Sequence, residues 1–238
     1  MPKGTIIIGT AFREGWTWFK ARAWFWIGIG LICTVISEIV STGSEMIPHS
    51  VREGGGSAEF AYVLTAVFFL LNVLVSARIS MGMAWMGLIT VDGKMAKIGD
   101  LLAKPQVFWR YVVTMIAFGL MFGVGLVLLI VPGIYVAARF FPVHFVVIER
   151  ETGVMEGFRQ AQQLTEGYRG KVINFILLWI AFFVVSGIAF IPVMRLSEPV
   201  GWWVMLLSAV IATPIIWLSA ASLYRTLQNA SANQGALA

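Results

Sequence analysis

The chain has 238 residues and a formal net charge of +5, with 59% hydrophobic and only 12% charged residues; its mean hydropathy is +0.85. A water-soluble domain carries about 25% charged residues, so this composition points to a chain that lives in a bilayer. The single cysteine, Cys33, lies in an apolar run, cannot form an intrachain disulfide, and is expected to be a packed thiol.

The opening "MPKGTIIIGTAFREG" has no small-residue cleavage site, so no secretory signal is expected. Pro2 and the closing "NQGALA" likewise fit no lipidation pattern. Ile8, Phe12, Trp16 and Phe19 oppose Arg13, Glu14 and Lys20 at helical spacing, which predicts a short amphipathic helix. A first membrane span follows over about 22–41. The loop 42–59 contains "REGGGSAE", a flexible stretch by composition. Span two covers about 60–90 and contains Asn72 and Arg78.

In 94–104, Met95, Ile98, Leu101 and Leu102 alternate with Lys94, Lys97, Asp100 and Lys104, predicting a second amphipathic helix. Residues 111–148 then carry one charge, Arg139. As a single helix they would be about 57 Å long, nearly twice the roughly 30 Å of a bilayer core. Pro132-Gly133 is expected to divide them into 111–131 and 133–149, the second arm being a short span or a re-entrant helix. A third amphipathic segment, 154–168, sets Val154, Phe158, Ala161, Leu164 and Tyr168 against Arg159, Gln160, Gln163 and Glu166. Spans five and six follow over about 171–193 and 201–224.

Lys and Arg are enriched on the cytoplasmic side of membrane proteins. The clusters Lys94–Arg110 and Arg150–Lys171 therefore belong on one side, which requires a tight hairpin at "VPG". With six spans both termini are cytoplasmic, and only Arg52 and Arg195 fall outside, beside Glu45, Glu53, Glu59 and Glu198. Trp16, Trp18, Trp24, Trp26 and Trp109 then mark the inner interface, and Trp202 and Trp203 the outer one. The expected setting is a bacterial inner membrane.

The segments also align with one another. Gly93, Met95, Phe108 and Val112 match Gly153, Met155, Tyr168 and Val172 at an offset of 60; Ala77-Arg78 matches Ala138-Arg139 at 61; Phe12-Arg13 matches Phe158-Arg159 at 146. The resulting expectation is an all-α, polytopic single membrane domain. It comprises three hairpins, each preceded by an interfacial amphipathic helix, with repeats at 5–91, 93–150 and 153–226 and a tail at 227–238.

Arginine near a membrane midplane costs about 2.5–3.5 kcal/mol on insertion scales and normally has a partner. Arg78 and Arg139 could form an anion or phosphate-headgroup site, since the guanidinium fork matches phosphate oxygens. Alternatively, each bonds carbonyls near a helix break or pairs with Glu38. His144 and Asn72 are further intramembrane polar groups. Gly119 and Gly123 form a GxxxG expected to pack helices within the monomer or across a dimer; Pro192 is expected at a span end and Pro214 to kink its helix. His49 and His144 form no metal pair, and no phosphate loop or nucleophile elbow is present. No cofactor, metal or catalysis is expected. The pI of 9.6 is explained by anionic lipid headgroups without nucleic acid.

The stretch "VPGIYVAARFFPVHFVVIERETGVMEGFRQAQQLTEGYRGKV" resembles the membrane-domain family named after glycerophosphoryl diester phosphodiesterases and related bacterial multi-pass proteins. Pro132-Gly133, the Arg139 span, Glu151-Thr152-Gly153 and "GFRQAQQLTEG" carry the likeness, and "GTAFREGWTWFKARAWFWIGIG" looks like the family's N-terminus. Gln162 or Gln163 stands where the family often has Ser, and the catalytic barrel is absent. The resemblance implies a membrane module without hydrolase activity. The leading expectation is therefore a non-enzymatic lipid-interacting or membrane-organising module, whose partners are lipids, anionic ones among them, and a protein partner or second copy. The alternative is a small transporter or flippase-like carrier of an anionic amphiphile.

Overall fold

The computed structural model describes residues 8–53 and 57–235, and every regular element among them is helical. In chain order these are α1 (Ile8–Ala21), α2 (Ala23–Glu53), α3 (Ala58–Val91), two 3₁₀ turns (Ile98–Leu102 and Pro105–Val107), α4 (Phe108–Leu128), α5 (Ile130–Phe140), α6 (Val143–Arg150), α7 (Val154–Thr165), α8 (Arg169–Leu196) and α9 (Glu198–Gly235). Six stretches are long and apolar enough to cross a membrane: Ala23–Ser44, Ala58–Val91, Ile98–Leu128, Val131–Arg150, Arg169–Val193 and Pro199–Asn233. The chain is a multi-pass membrane protein by this measure. The side chains of Ile8, Glu45, His49, Arg52, Glu53 and Glu198 lie outside the described residues, as do residues 54–56.

Packing is uneven along the bundle. At one end, Met83, Met86 and Leu88 of α3, Val146 and Ile148 of α6, and Leu218, Leu223 and Leu227 of α9 are fully enclosed. At the other end, Phe69 and Leu70 of α3, Val127 of α4, and Phe183 and Val185 of α8 stand exposed. Lipid tails are as apolar as these side chains, so burial against a neighbouring helix gains little there.

The enclosed end is also the basic end, and polar ties hold it. Arg22 Nη1 donates to the Ala96 carbonyl at 2.9 Å. Lys104 Nζ donates to the Ile148 carbonyl at 3.1 Å and pairs with Glu151 at 2.7 Å. Arg110 Nη1 donates to the Glu151 carbonyl at 2.7 Å.

Several sequence expectations shift. Helix α2 continues to Glu53, through much of what composition marks as loop. The predicted helix over 94–104 is instead irregular chain around one 3₁₀ turn, Ile98–Leu102, with the second following at Pro105–Val107. Of its apolar stripe only Leu101 is buried; Met95, Ile98 and Leu102 are exposed. The reason is local and tertiary together. Gly99 and Pro105 weaken a helix, and Lys104 adopts a left-handed backbone at φ 57. Leu101 then seats against Gly82 of α3, where any Cβ would collide with the Leu101 carbonyl.

Helix α1 forms, but its buried face is Ala11, Gly15 and Phe19, and Trp16 points outward. Gly15 sets this face, because a Cβ there would strike the Ser219 backbone of α9. Trp26, expected at an interface, is fully buried in the core, whereas Trp24 and Trp109 are exposed. In α7, Phe158, Ala161 and Leu164 are buried while Arg159 and Gln163 are exposed, and Val154 and Gln160 are half-buried.

The long apolar segment breaks one turn earlier than Pro132-Gly133, at Leu129, whose backbone is extended (φ −170, ψ 147). Pro132 sits in the first turn of α5, where an amide N–H has no intrahelical partner and its loss costs nothing. A second break falls at Pro142, between α5 and α6. Proline there removes one helix hydrogen bond and its ring clashes with the carbonyl four residues back. The fourth candidate span is thus two short helices, about 16 Å and 12 Å long at helical rise. Pro192 and Pro214 both lie inside their helices.

Candidate functional site: a lateral groove and an unbalanced arginine cluster

The bend at Pro142 places Ile134, Ala137, Phe141 and His144 along one face of α5 and α6. With Phe118 and Phe122 of α4, Ile176 and Ile180 of α8 and Trp217 of α9, this face bounds a groove of about 590 Å³. Its lining is apolar except for His144. That imidazole packs edge-on to Phe118 at 5.2 Å and tilted on Tyr111 at 5.5 Å between centroids. Its Nδ1 is buried with no hydrogen-bond partner. Leu126, Leu177 and Ile180, which edge the groove, are themselves exposed, so it opens onto the apolar surface.

Arg139 lies on another face of α5. Its backbone carbonyl accepts a 2.9 Å bond from Thr165 Oγ1 at the end of α7. The residue is therefore level with the α7–α8 turn. The Pro142 bend lies between Arg139 and α7 in the chain. The Arg139 guanidinium stands 5.3 Å from the Phe140 ring centroid, and its Nε is buried without a partner.

Four residues after Thr165, Arg169 begins α8. Its Nη1 donates to the Tyr135 hydroxyl at 2.7 Å, and its Nε is also buried and unpartnered. Tyr135 precedes Arg139 by one helical turn, so the two share a face of α5. Among the described residues no carboxylate lies within ion-pair distance of either arginine.

Among the described residues, Arg78 and Arg139 share no hydrogen-bond or ring partner. Arg78 Nη2 donates to the Ala103 carbonyl at 3.1 Å, and Nη1 lies 3.8 Å from Met81 Sδ. It ties the 3₁₀ segment to α3, matching the carbonyl-bonding alternative. Asn72 accepts a long 3.4 Å bond from Ser76 Oγ and joins neither arginine. Glu38 is exposed and makes no ion pair with either one. Cys33 is buried, as expected.

The packing role expected of Gly119 and Gly123 is made elsewhere. A Cβ at either would meet nothing within 4 Å; at Gly125 it would lie 2.9 Å from Gly133 Cα. The α4–α5 contact is thus Gly125 on Gly133. Pro132 opens α5 one residue before this contact.

Sequence reasoning missed a second polar centre at the basic end. Arg225 of α9 spans Asp92, which caps α3, by bonds of 2.8 and 2.7 Å, and also pairs with Glu149 of α6. The other Glu149 oxygen accepts from the Tyr224 hydroxyl at 2.6 Å and from Gln228 at 3.0 Å. The signal was present: Arg225 ends the uncharged run 199–224, and acids end the α3 and α6 runs at the same side. Beside this centre lies a space of about 450 Å³ lined by both charge signs, including Lys94, Lys97, Asp92 and Asp100. Outside the spans, Glu151 has its carboxyl held below the ordinary range by the Lys104 hydrogen bond and charge. Among the described residues no group of three His, Cys, Asp or Glu could hold a metal ion.

Compared with family models, curated proteins and solved structures, the chain matches none of them.

Proposed function

We propose that this chain is a non-enzymatic, lipid-interacting module of a bacterial inner membrane that binds an anionic amphiphile. The acyl chain occupies the groove walled by α4, α5, α8 and α9, and the phosphate meets Arg139 and Arg169. The observation that carries the proposal is Arg139: its Nε is buried without a hydrogen-bond acceptor, and no carboxylate among the described residues lies within ion-pair distance of it. An uncompensated buried charge is costly, and a phosphate oxygen would supply both the acceptor and the counter-charge. Arg169, bonded to Tyr135 on the same face of α5, adds a second fork. The arrangement of six spans as three hairpins with interfacial leading segments, and both termini in the cytoplasm, belongs to the same proposal, as does the resemblance noted from sequence. Basic side chains gathered at one end support that orientation.

The test is the lipid retained after extensive detergent exchange, read by mass spectrometry. Wild type should keep an anionic phospholipid in preference to zwitterionic ones. Arg139→Ala and Arg169→Ala should each weaken retention about 10- to 100-fold, the equivalent of one charged hydrogen bond of about 1.5–3 kcal/mol. Arg78→Ala should leave the lipid profile unchanged. Unselective, identical profiles in all four proteins would sink the proposal.

A second reading, a carrier of the same amphiphile, has one observation in its favour. The groove is built partly on the helix broken at Pro142, and discontinuous helices are common at transporter sites. Lipid exchange between leaflets of proteoliposomes, abolished by Arg139→Ala, would support it; no exchange above protein-free vesicles would remove it.

A further inference from the structure

Helices α2 and α9 touch at Gly30, where any Cβ would collide with the Val210 carbonyl. Beyond this contact, toward the end of the bundle remote from α1, a space is left between them. The gap between them is a pocket of about 240 Å³, lined by Thr34 and Glu38 of α2 and by Trp202, Trp203, Met205 and Leu206 of α9, with Ala209 at its base. Thr34 and Glu38 are one turn apart, so both project from the same face of α2. Trp202 and Trp203 are consecutive and leave α9 about 100° apart, giving two aromatic walls set at an angle.

Glu38 is the one acidic residue between Ala23 and Ser44. No Lys, Arg or His among the described residues lies within ion-pair distance of it. Neither indole is near a cation of the described chain. Intramembrane ionisable groups are costly to place and normally serve a partner. A carboxylate that lines one pocket with two tryptophans is the chemistry that recognises an organic ammonium: the carboxylate supplies the counter-charge and the ring faces supply cation–π attraction. At 240 Å³ the pocket lies below the roughly 300–1,000 Å³ of drug-sized sites, which suits a small headgroup.

We infer that Glu38, Trp202 and Trp203 form a binding site for an alkylammonium group at the end of the bundle remote from α1. The chain would then carry two sites of opposite charge preference, one at each end. This inference uses none of the residues of the groove or the arginine cluster.

The experiment is equilibrium binding of radiolabelled choline to the full chain in phosphatidylglycerol nanodiscs, which contain no ammonium lipid. Wild type should bind choline saturably. Glu38→Gln should weaken binding at least about tenfold, and Trp203→Leu about two- to thirtyfold, the span of a cation–π contact. The uncharged isostere 3,3-dimethylbutan-1-ol should not compete, an arm that requires no variant and so stands even where a substitution impairs folding. Including phosphatidylethanolamine in the discs separates the sources: lost choline binding identifies a lipid headgroup, and unchanged binding identifies a soluble cation. Absent saturable binding in wild type, binding by folded Glu38→Gln within twofold of wild type, or equal competition by the isostere would each overturn the inference.

Discussion

Arg225 offers the sharpest test of how the basic end is held together. Replacing it with leucine removes the donors to both Asp92 oxygens and to one Glu149 oxygen. Each charged hydrogen bond is worth about 1.5–3 kcal/mol when its partner is left buried. The side chains of Arg225, Asp92 and Glu149 are 22%, 33% and 24% exposed, so water can replace part of the loss. Glu149 also keeps its bonds from Tyr224 and Gln228. A net destabilisation of about 3 kcal/mol is therefore expected, less than three full bonds would give. At about 2–4 °C per kcal/mol for a chain of this size, the melting temperature in detergent should fall by about 6–12 °C. Arg225→Lys should recover only part, because a point charge cannot span both Asp92 oxygens. Combining Arg225→Leu with Asp92→Asn should cost clearly less than the sum of the two single changes, since both remove the same interaction. A shift under 2 °C for Arg225→Leu, or strict additivity in the double variant, would refute the reasoning.

Two further outcomes follow from local geometry. Gly125→Val should lower the melting temperature by several degrees, because its side chain would overlap the Gly133 backbone and overpacking costs about 1–3 kcal/mol. Gly119→Val meets open space and should leave the monomer unchanged, both read by thermal unfolding of the purified protein. The Lys104–Glu151 clamp should depend on pH in one direction. Its carboxyl is held below the ordinary value by Lys104, so the clamp is fully formed above the unfolded carboxylate pKa of about 4.3 and is lost as pH falls through the lowered folded value. Hydrogen exchange of the 104–110 amides should rise across that acidic window in wild type. In Glu151→Gln it should be elevated already at neutral pH and nearly flat; a parallel rise in both proteins would rule the clamp out.

Composition and periodicity alone determined that this chain is helical, crosses the membrane several times and gathers its basic residues at one end. Those features follow from bilayer thickness and charge cost, which act residue by residue. The uncharged run that begins after Lys171 and the one that ends at Arg225 overlie the fifth and sixth candidate spans, and the buried stripe of α7 is also legible.

What the sequence could not decide depends on which helices touch. Trp26 looks like an interfacial anchor until α2 is packed against the core. Gly119 and Gly123 look like a packing motif, yet the approach falls at Gly125 because α5 begins at Ile130 and brings Gly133 alongside. The segment 94–104 reads as a helix but is drawn into 3₁₀ turns by Gly82 and Arg78. Pro142 turns the fourth span, and the Arg139 carbonyl beyond the bend accepts from Thr165. At Trp26 and Leu101 packing against other helices outweighed a local preference of about a kcal/mol or less, whereas the break at Pro142 is local and only its consequence for Arg139 is tertiary. The pairing of Arg225 with Asp92 and Glu149, across more than 70 residues, is of the same kind: sequence supplied the charges, and only the tertiary fold made them partners.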